Sequence, residues 1–222
     1  MQSIDYRRYI LCALALCVAL VYRVDAQLTK RSTPFSLFAS GGSVLAPIPM
    51  VIANQTETRS SAFRSGFFGG LGAAVGPYRM SNDLDWSLEL SAEVHAPART
   101  ELSINRQSIS EKHIFAPVVV WYKIQPHSEI TPFVHAGGGV TYAQWSFRYA
   151  ELPEESHGDW AFVWGVGGGL SIRMALRMSM EICFDVLSIE GTTVYEFRSG
   201  YLLAVQDRVF LFPIGVKLRF HL

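Results

Sequence analysis

Leu84, Trp86, Leu88, Leu90, Ala92, Val94 and Ala96 alternate without a break with Asp85, Ser87, Glu89, Ser91, Glu93 and His95. A side-chain period of two marks a β-strand with one apolar face, whereas an amphipathic helix would repeat about every 3.6 residues. Three further segments carry the same dyad. Trp160, Phe162, Trp164, Val166, Leu170 and Ile172 oppose Ala161, Val163, Gly165, Gly167, Gly169, Ser171 and Arg173. Met178, Met180, Ile182, Phe184 and Val186 oppose Arg177, Ser179, Glu181, Cys183 and Asp185. Phe210, Phe212, Ile214, Val216, Leu218, Phe220 and Leu222 oppose Lys217, Arg219 and His221. Weaker candidates at about 35–45, 66–78, 113–124 and 131–149 bring the expected total to eight. Pro117 and Pro132 each remove a ladder hydrogen bond, so a strand start or a local irregularity is expected there.

The N-terminus is organised differently. Arg7 and Arg8 precede an apolar stretch from Ile10 to Tyr22, and Val24-Asp25-Ala26 has the small residues of a cleavage site. We therefore expect a signal peptide over 1–26 and a single domain over 27–222. Leu14-Ala15-Leu16-Cys17 offers a lipoprotein alternative, which the bulky Leu16 fits poorly. Cleavage would remove Cys12 and Cys17 and leave Cys183 alone, so no intramolecular disulfide could form. Nothing after Ala26 is apolar for the ~20 residues that a membrane-spanning helix needs. An exported chain that is 50% apolar must then be a soluble β-protein or a barrel. With 19 basic and 19 acidic residues it lacks the positive footprint of a nucleic-acid binder.

Connection lengths favour the membrane. Short links near 80–83, 125–130 and 175–176 alternate with long ones near 46–65, 97–112, 150–158 and 188–207. Short turns on one side and long loops on the other characterise outer-membrane barrels, with both termini on the short-turn side. Phe67, Tyr142, Trp160, Phe162, Trp164, Phe210 and Phe212 fall toward the long-loop end, and Trp86, Tyr122 and Phe220 toward the other. Two aromatic belts at membrane interfaces would explain this. A soluble sandwich or lipocalin-like barrel would instead bury these rings in its core.

Three segments carry a family resemblance: Phe162-Val163-Trp164-Gly165-Val166-Gly167-Gly168-Gly169-Leu170, Pro132-Phe133-Val134-His135-Ala136-Gly137-Gly138-Gly139, and the terminal Gly215-Val216-Lys217-Leu218-Arg219-Phe220. With these the chain resembles the small outer-membrane barrels of the OmpA and OmpX type. The resemblance implies an all-β, eight-stranded antiparallel up-and-down transmembrane barrel in the bacterial outer membrane. It also implies contact with outer-membrane lipid and lipopolysaccharide, passage through periplasmic chaperones and the barrel-assembly machinery, and loops available to an extracellular ligand. Gly215, Leu218 and Phe220 look like the family's assembly signal, although this chain runs on through His221 and Leu222.

Eight strands enclose a lumen just wide enough for side chains, which disfavours a general porin. Arg173, Glu181, Asp185, Lys217 and Arg219 are expected to form a lumen ion-pair network, because their strands are sequential neighbours. Asp85, Glu89, Glu93 and His95 form a second polar cluster that would need Arg79, Lys123 or water as partners. No cofactor or metal is expected: the histidines are scattered, and the glycine clusters lie within strands instead of opening helices as phosphate cradles do. An enzyme is not expected either, although some similar barrels hydrolyse or transfer acyl groups on lipid A or phospholipid. The one local candidate, His127-Ser128-Glu129, is contiguous, which seldom permits triad geometry, and sits in a predicted periplasmic turn. His157 reads as a loop histidine. Two function classes thus stand: a structural or surface-interaction barrel, and a small-ligand or restricted-transport barrel.

Overall fold

The computed structural model describes residues 35–47, 50–53, 58–59, 63–98, 100–104, 107–126, 130–149, 153–190, 194–196, 202–205 and 208–222. The expected signal peptide lies outside them. The strands are β1 (Phe35–Pro47), β2 (Met50–Ala53), β3 (Thr58–Arg59), β4 (Phe63–Arg79), β5 (Leu84–Pro97), β6 (Thr100–Ile104), β7 (Gln107–Pro126), β8 (Ile130–Tyr149), β9 (Glu155–Ala175), β10 (Met178–Glu190), β11 (Val194–Glu196), β12 (Leu202–Val205) and β13 (Arg208–His221).

Eight of them close a ring in the order β1, β4, β5, β7, β8, β9, β10, β13, with every neighbouring pair antiparallel and β13 pairing back onto β1. Closure removes the sheet edges, so the wall's backbone groups are satisfied within it, as a membrane-spanning sheet requires. Leu71, Leu90, Val94, Val134, Val166, Ile182, Phe184 and Val216 all stand exposed on the outer wall. An apolar surface running round a whole barrel far exceeds what a water-facing protein presents, and suits hydrocarbon.

The inner wall has two zones. Toward the long-loop end Val44, Phe115, Val119, Trp121, Trp145, Leu187, Ile189 and Leu211 fill the lumen as a continuous apolar core. Toward the short-turn end most buried residues are charged or hydroxylic, among them Ser36, Glu89, Lys123, Glu181, Lys217 and Arg219, with Phe38 and Phe133 packed among them. Bulky rings fit because glycines face them in register: Phe38 lies opposite Gly72, Trp121 opposite Gly137 and Phe133 opposite Gly169. These glycines therefore have a packing role, since a Cβ at Gly72 would fall inside the Phe38 ring.

The apolar upper lumen explains why β7 was faint in the sequence. Over its middle both faces are apolar, Val118 and Tyr122 outside against Phe115 and Trp121 inside, so the dyad contrast is lost. Several expected boundaries also move. Strands β7, β8 and β9 run 20, 20 and 21 residues, about twice what a tilted strand needs to cross a bilayer. Much of what read as the loops 97–112 and 150–158 is strand, with β6 continuing the wall beside β7. Within the loops 46–65 and 188–207, β2, β3, β11 and β12 pair into a separate four-stranded sheet. Strands of two to four residues are too short for hydrophobic alternation to report.

Pro117 stands mid-strand in β7, where pairing with β5 lapses between Ala92↔Val118 and His95↔Phe115 without a register change. The same gap opens beside Pro213 in the β10–β13 ladder. In β4 the register shifts after Val75, next to Gly76 at φ 113°, a backbone region that side-chain-bearing residues seldom occupy.

Candidate functional site

The charged lower lumen is the chemically distinctive part of the molecule. Period-two alternation turns Glu89 (β5), Lys123 (β7), Glu181 (β10), and Lys217 and Arg219 (β13) inward. Glu181 and Lys217 are direct register partners on one side of the wall. Lys217 Nζ donates to Glu89 Oε2 at 2.8 Å, and Lys123 Nζ to Glu181 Oε1 at 2.7 Å. Arg219 Nε donates to Glu181 Oε1 at 2.9 Å, its Nη1 to Ser36 Oγ at 3.2 Å, and its Nη2 to Glu89. Lys123 also lies 3.6 Å from Glu89, and Lys217 3.9 Å from Glu181, so each carboxylate meets all three cations. The lysine ammonium groups lie over aromatic faces, Lys123 Nζ 3.9 Å from the Phe133 centroid and Lys217 Nζ 4.5 Å from that of Phe38.

These bonds cross the lumen. In the ring β5 and β13 are separated by β4 and β1, and β7 and β10 by β8 and β9. Only a narrow barrel lets side chains three strands apart touch, and this is why adjacency in sequence could not reveal Glu89 as a partner of Lys217.

Two members of the expected network stand elsewhere. Arg173 shares the inward row but lies at the open lower end, exposed, with Nη2 donating to the Leu176 carbonyl at 3.5 Å. Asp185 sits higher and bonds His135 Nε2 at 2.6 Å, under the stacked ring of Trp121 at 4.4 Å. The second cluster also divides. Glu89 joins the central network through cations from other strands. Glu93 and His95 form their own pair at 2.9 Å, with Ser40 Oγ donating to Glu93 at 3.0 Å and Phe68 stacked on His95. Asp85 is buried and faces Arg79 in register. Sequence reading missed His135 entirely. The signal available was its inward parity with Phe133 on β8.

The aromatic residues take up the outer wall. Trp86 stacks with Tyr122 at 5.7 Å and meets Tyr78 at a tilt at 4.8 Å near the turn end. Tyr142 and Trp160 meet edge-on at 5.4 Å toward the loop end, where Phe67, Phe162 and Trp164 are exposed. Phe210 and Phe212 face outward half-buried, and Trp164 Nε1 donates to Glu190 at 3.1 Å. On β13, Leu218 and Phe220 project outward while Gly215 faces the lumen under Phe68. Phe220→Ala should lower the yield of assembled barrel several-fold, read as heat-modifiable protein on gels; an unchanged yield would remove Phe220 from any assembly role.

His127, Ser128 and Glu129 lie outside the described residues. Among the described residues no cluster of His, Cys, Asp and Glu could hold a metal ion, and His157 lies in β9 instead of a loop.

No protein-family model matches the chain, and no curated protein matches it by sequence. Solved structures do. A major outer membrane protein from Thermus thermophilus superposes with a TM-score of 0.54 at 11% identity, covering 86% of this chain and 100% of that one. The fold is that of an outer-membrane β-barrel. The outer membrane protease OmpT from Escherichia coli gives a TM-score of 0.52 at 6% identity, covering 87% of this chain and 99% of that one. Identities this low establish the shared fold and carry no activity across.

Proposed function

We propose that the protein is a sealed outer-membrane scaffold, exported by residues 1–26 and acting through its loop-end surface instead of through a pore. The observation that carries this reading is the double filling of the lumen. Beneath an apolar core that includes Phe115, Trp121, Leu187 and Leu211 lies a cross-lumen network in which Glu89 and Glu181 are each bonded to three cations. A hydrated path would have to break several buried ion pairs and then cross a dry segment, each at a cost of several kcal/mol. The strands β7 to β9 and the hairpin with β6 extend the wall beyond what a bilayer covers, supplying surface for an external partner. Outer-leaflet lipopolysaccharide meets the Tyr142, Trp160 and Trp164 belt, and chaperones and assembly machinery act during biogenesis.

Reconstitution into liposomes tests the proposal. Vesicles carrying the folded chain should show no more swelling in small sugars than empty ones. Swelling that rises with protein content would favour the restricted-transport alternative.

A further inference from the structure

The turn joining β9 to β10 differs from the turn joining β4 to β5. In the latter, Ser81, Asn82 and Asp83 are polar, and Arg79 faces Asp85 in register. In the β9–β10 turn the outward apolar rows run on without a polar break, through Leu170 and Met174 on β9, Leu176 at the tip and Ile182 on β10. Leu176 is 86% exposed and Met174 55%. Arg173 and Arg177 flank that tip, both exposed; Arg173 starts from the inward row at the open end, and its guanidinium reaches the tip at the Leu176 carbonyl. Among the described residues no carboxylate pairs with either; Arg173 has only the long bond to the Leu176 carbonyl.

The lip is also held in place. The Arg177 carbonyl accepts from His221 N at 2.9 Å, which fixes the turn to the end of β13. Ser179 lies in register between Arg173 and Arg219 and contacts His221 Nε2 at 3.2 Å. Arg219 is committed to Glu89, Glu181 and Ser36, and the lumen network holds three cations against two carboxylates. Arg173 and Arg177 therefore add positive charge at this lip, and among the described residues no carboxylate side chain pairs with them.

We propose that the β9–β10 turn binds the phosphate of an anionic phospholipid headgroup in the adjoining leaflet, with Arg173 and Arg177 donating to its oxygens and Met174 and Leu176 set among the upper acyl carbons. Guanidinium groups match phosphate bidentately, and apolar residues contiguous with the lipid-facing wall put the turn at headgroup depth. A headgroup without its own ammonium fits best, because the two guanidinium groups offer donors and no acceptor.

Native mass spectrometry of the full chain in detergent, titrated with phosphatidylglycerol or phosphatidylcholine, tests this. Phosphatidylglycerol should be retained about tenfold better, as expected for one or two charge-assisted bonds. The R173Q/R177Q variant should bring that ratio close to one, whereas R148Q at the opposite end leaves it unchanged. Heat-modifiable migration verifies that each variant is folded, and R177Q alone, with a partial loss, serves if the double variant is not. Equal retention of both lipids by the native chain, or a preference that survives in R173Q/R177Q, overturns the proposal. Displacement of the lipid by millimolar inorganic phosphate, or binding to peptidoglycan sacculi without lipid preference, overturns the lipid assignment.

Discussion

Glu89→Gln should destabilise the folded barrel by about 3–5 kcal/mol, the range for removing one partner of a buried ion pair. The side chain is fully buried, and its loss leaves Lys217, Arg219 and Lys123 with Glu181 as their only network carboxylate. The check is the denaturant midpoint of the folded-to-unfolded band shift on gels. Removing a cation as well should restore stability, so Glu89→Gln with Lys217→Met should unfold later than Glu89→Gln alone. A charge exchange between Glu181 and Lys217 should restore little. Glu181 contacts Lys123 and Arg219 more closely than Lys217, at 2.7 and 2.9 Å against 3.9 Å. A Glu89→Gln barrel as stable as the native one would mean that the network contributes nothing to the fold.

Gly72→Val should cost about 2–3 kcal/mol through overpacking, because the added atoms collide with the Phe38 ring and the Leu90 carbonyl. Phe38 cannot simply swing away, since its face carries Lys217 Nζ at 4.5 Å and the Arg219 guanidinium at 5.3 Å. The substitution thus strains the ring and the ion network together. Phe38→Ala combined with Gly72→Val should be less damaging than the sum of the two, as expected for residues in contact. Strict additivity in the same gel assay would show that Phe38 does not occupy the Gly72 position.

Much of the fold was legible because a membrane enforces a contrast. Lipid on one side and a polar lumen on the other wrote the dyad into β5, β9, β10 and β13. Where the lumen turns apolar, at Phe115, Val119 and Trp121 in β7, or where the wall rises beyond the bilayer, as at Glu155 to Asp159 in β9, that contrast fades. The site was legible in part for a different reason. Parity puts Glu181, Lys217 and Arg219 on the inner wall, but adjacency in sequence points only to neighbouring strands. Glu89 and Lys123 reach the network across the barrel, a geometry set by its diameter. Arg173 has the right parity and the wrong height, and Asp185 is held by His135 before any lysine can reach it.

Which face of the wall meets lipid decides both the sealed lumen and the headgroup site, and acyl-chain quenching tests it most directly. Single cysteines in a Cys183→Ser background, labelled with a small fluorophore and reconstituted into bilayers of brominated lipid, report which side of the wall each position faces. Labels at Val134, Ile182 and Val216 should be strongly quenched, and one at Ser91 should not. Quenching at Ser91 with none at Val134 and Ile182 would place the charged network toward lipid and contradict the account.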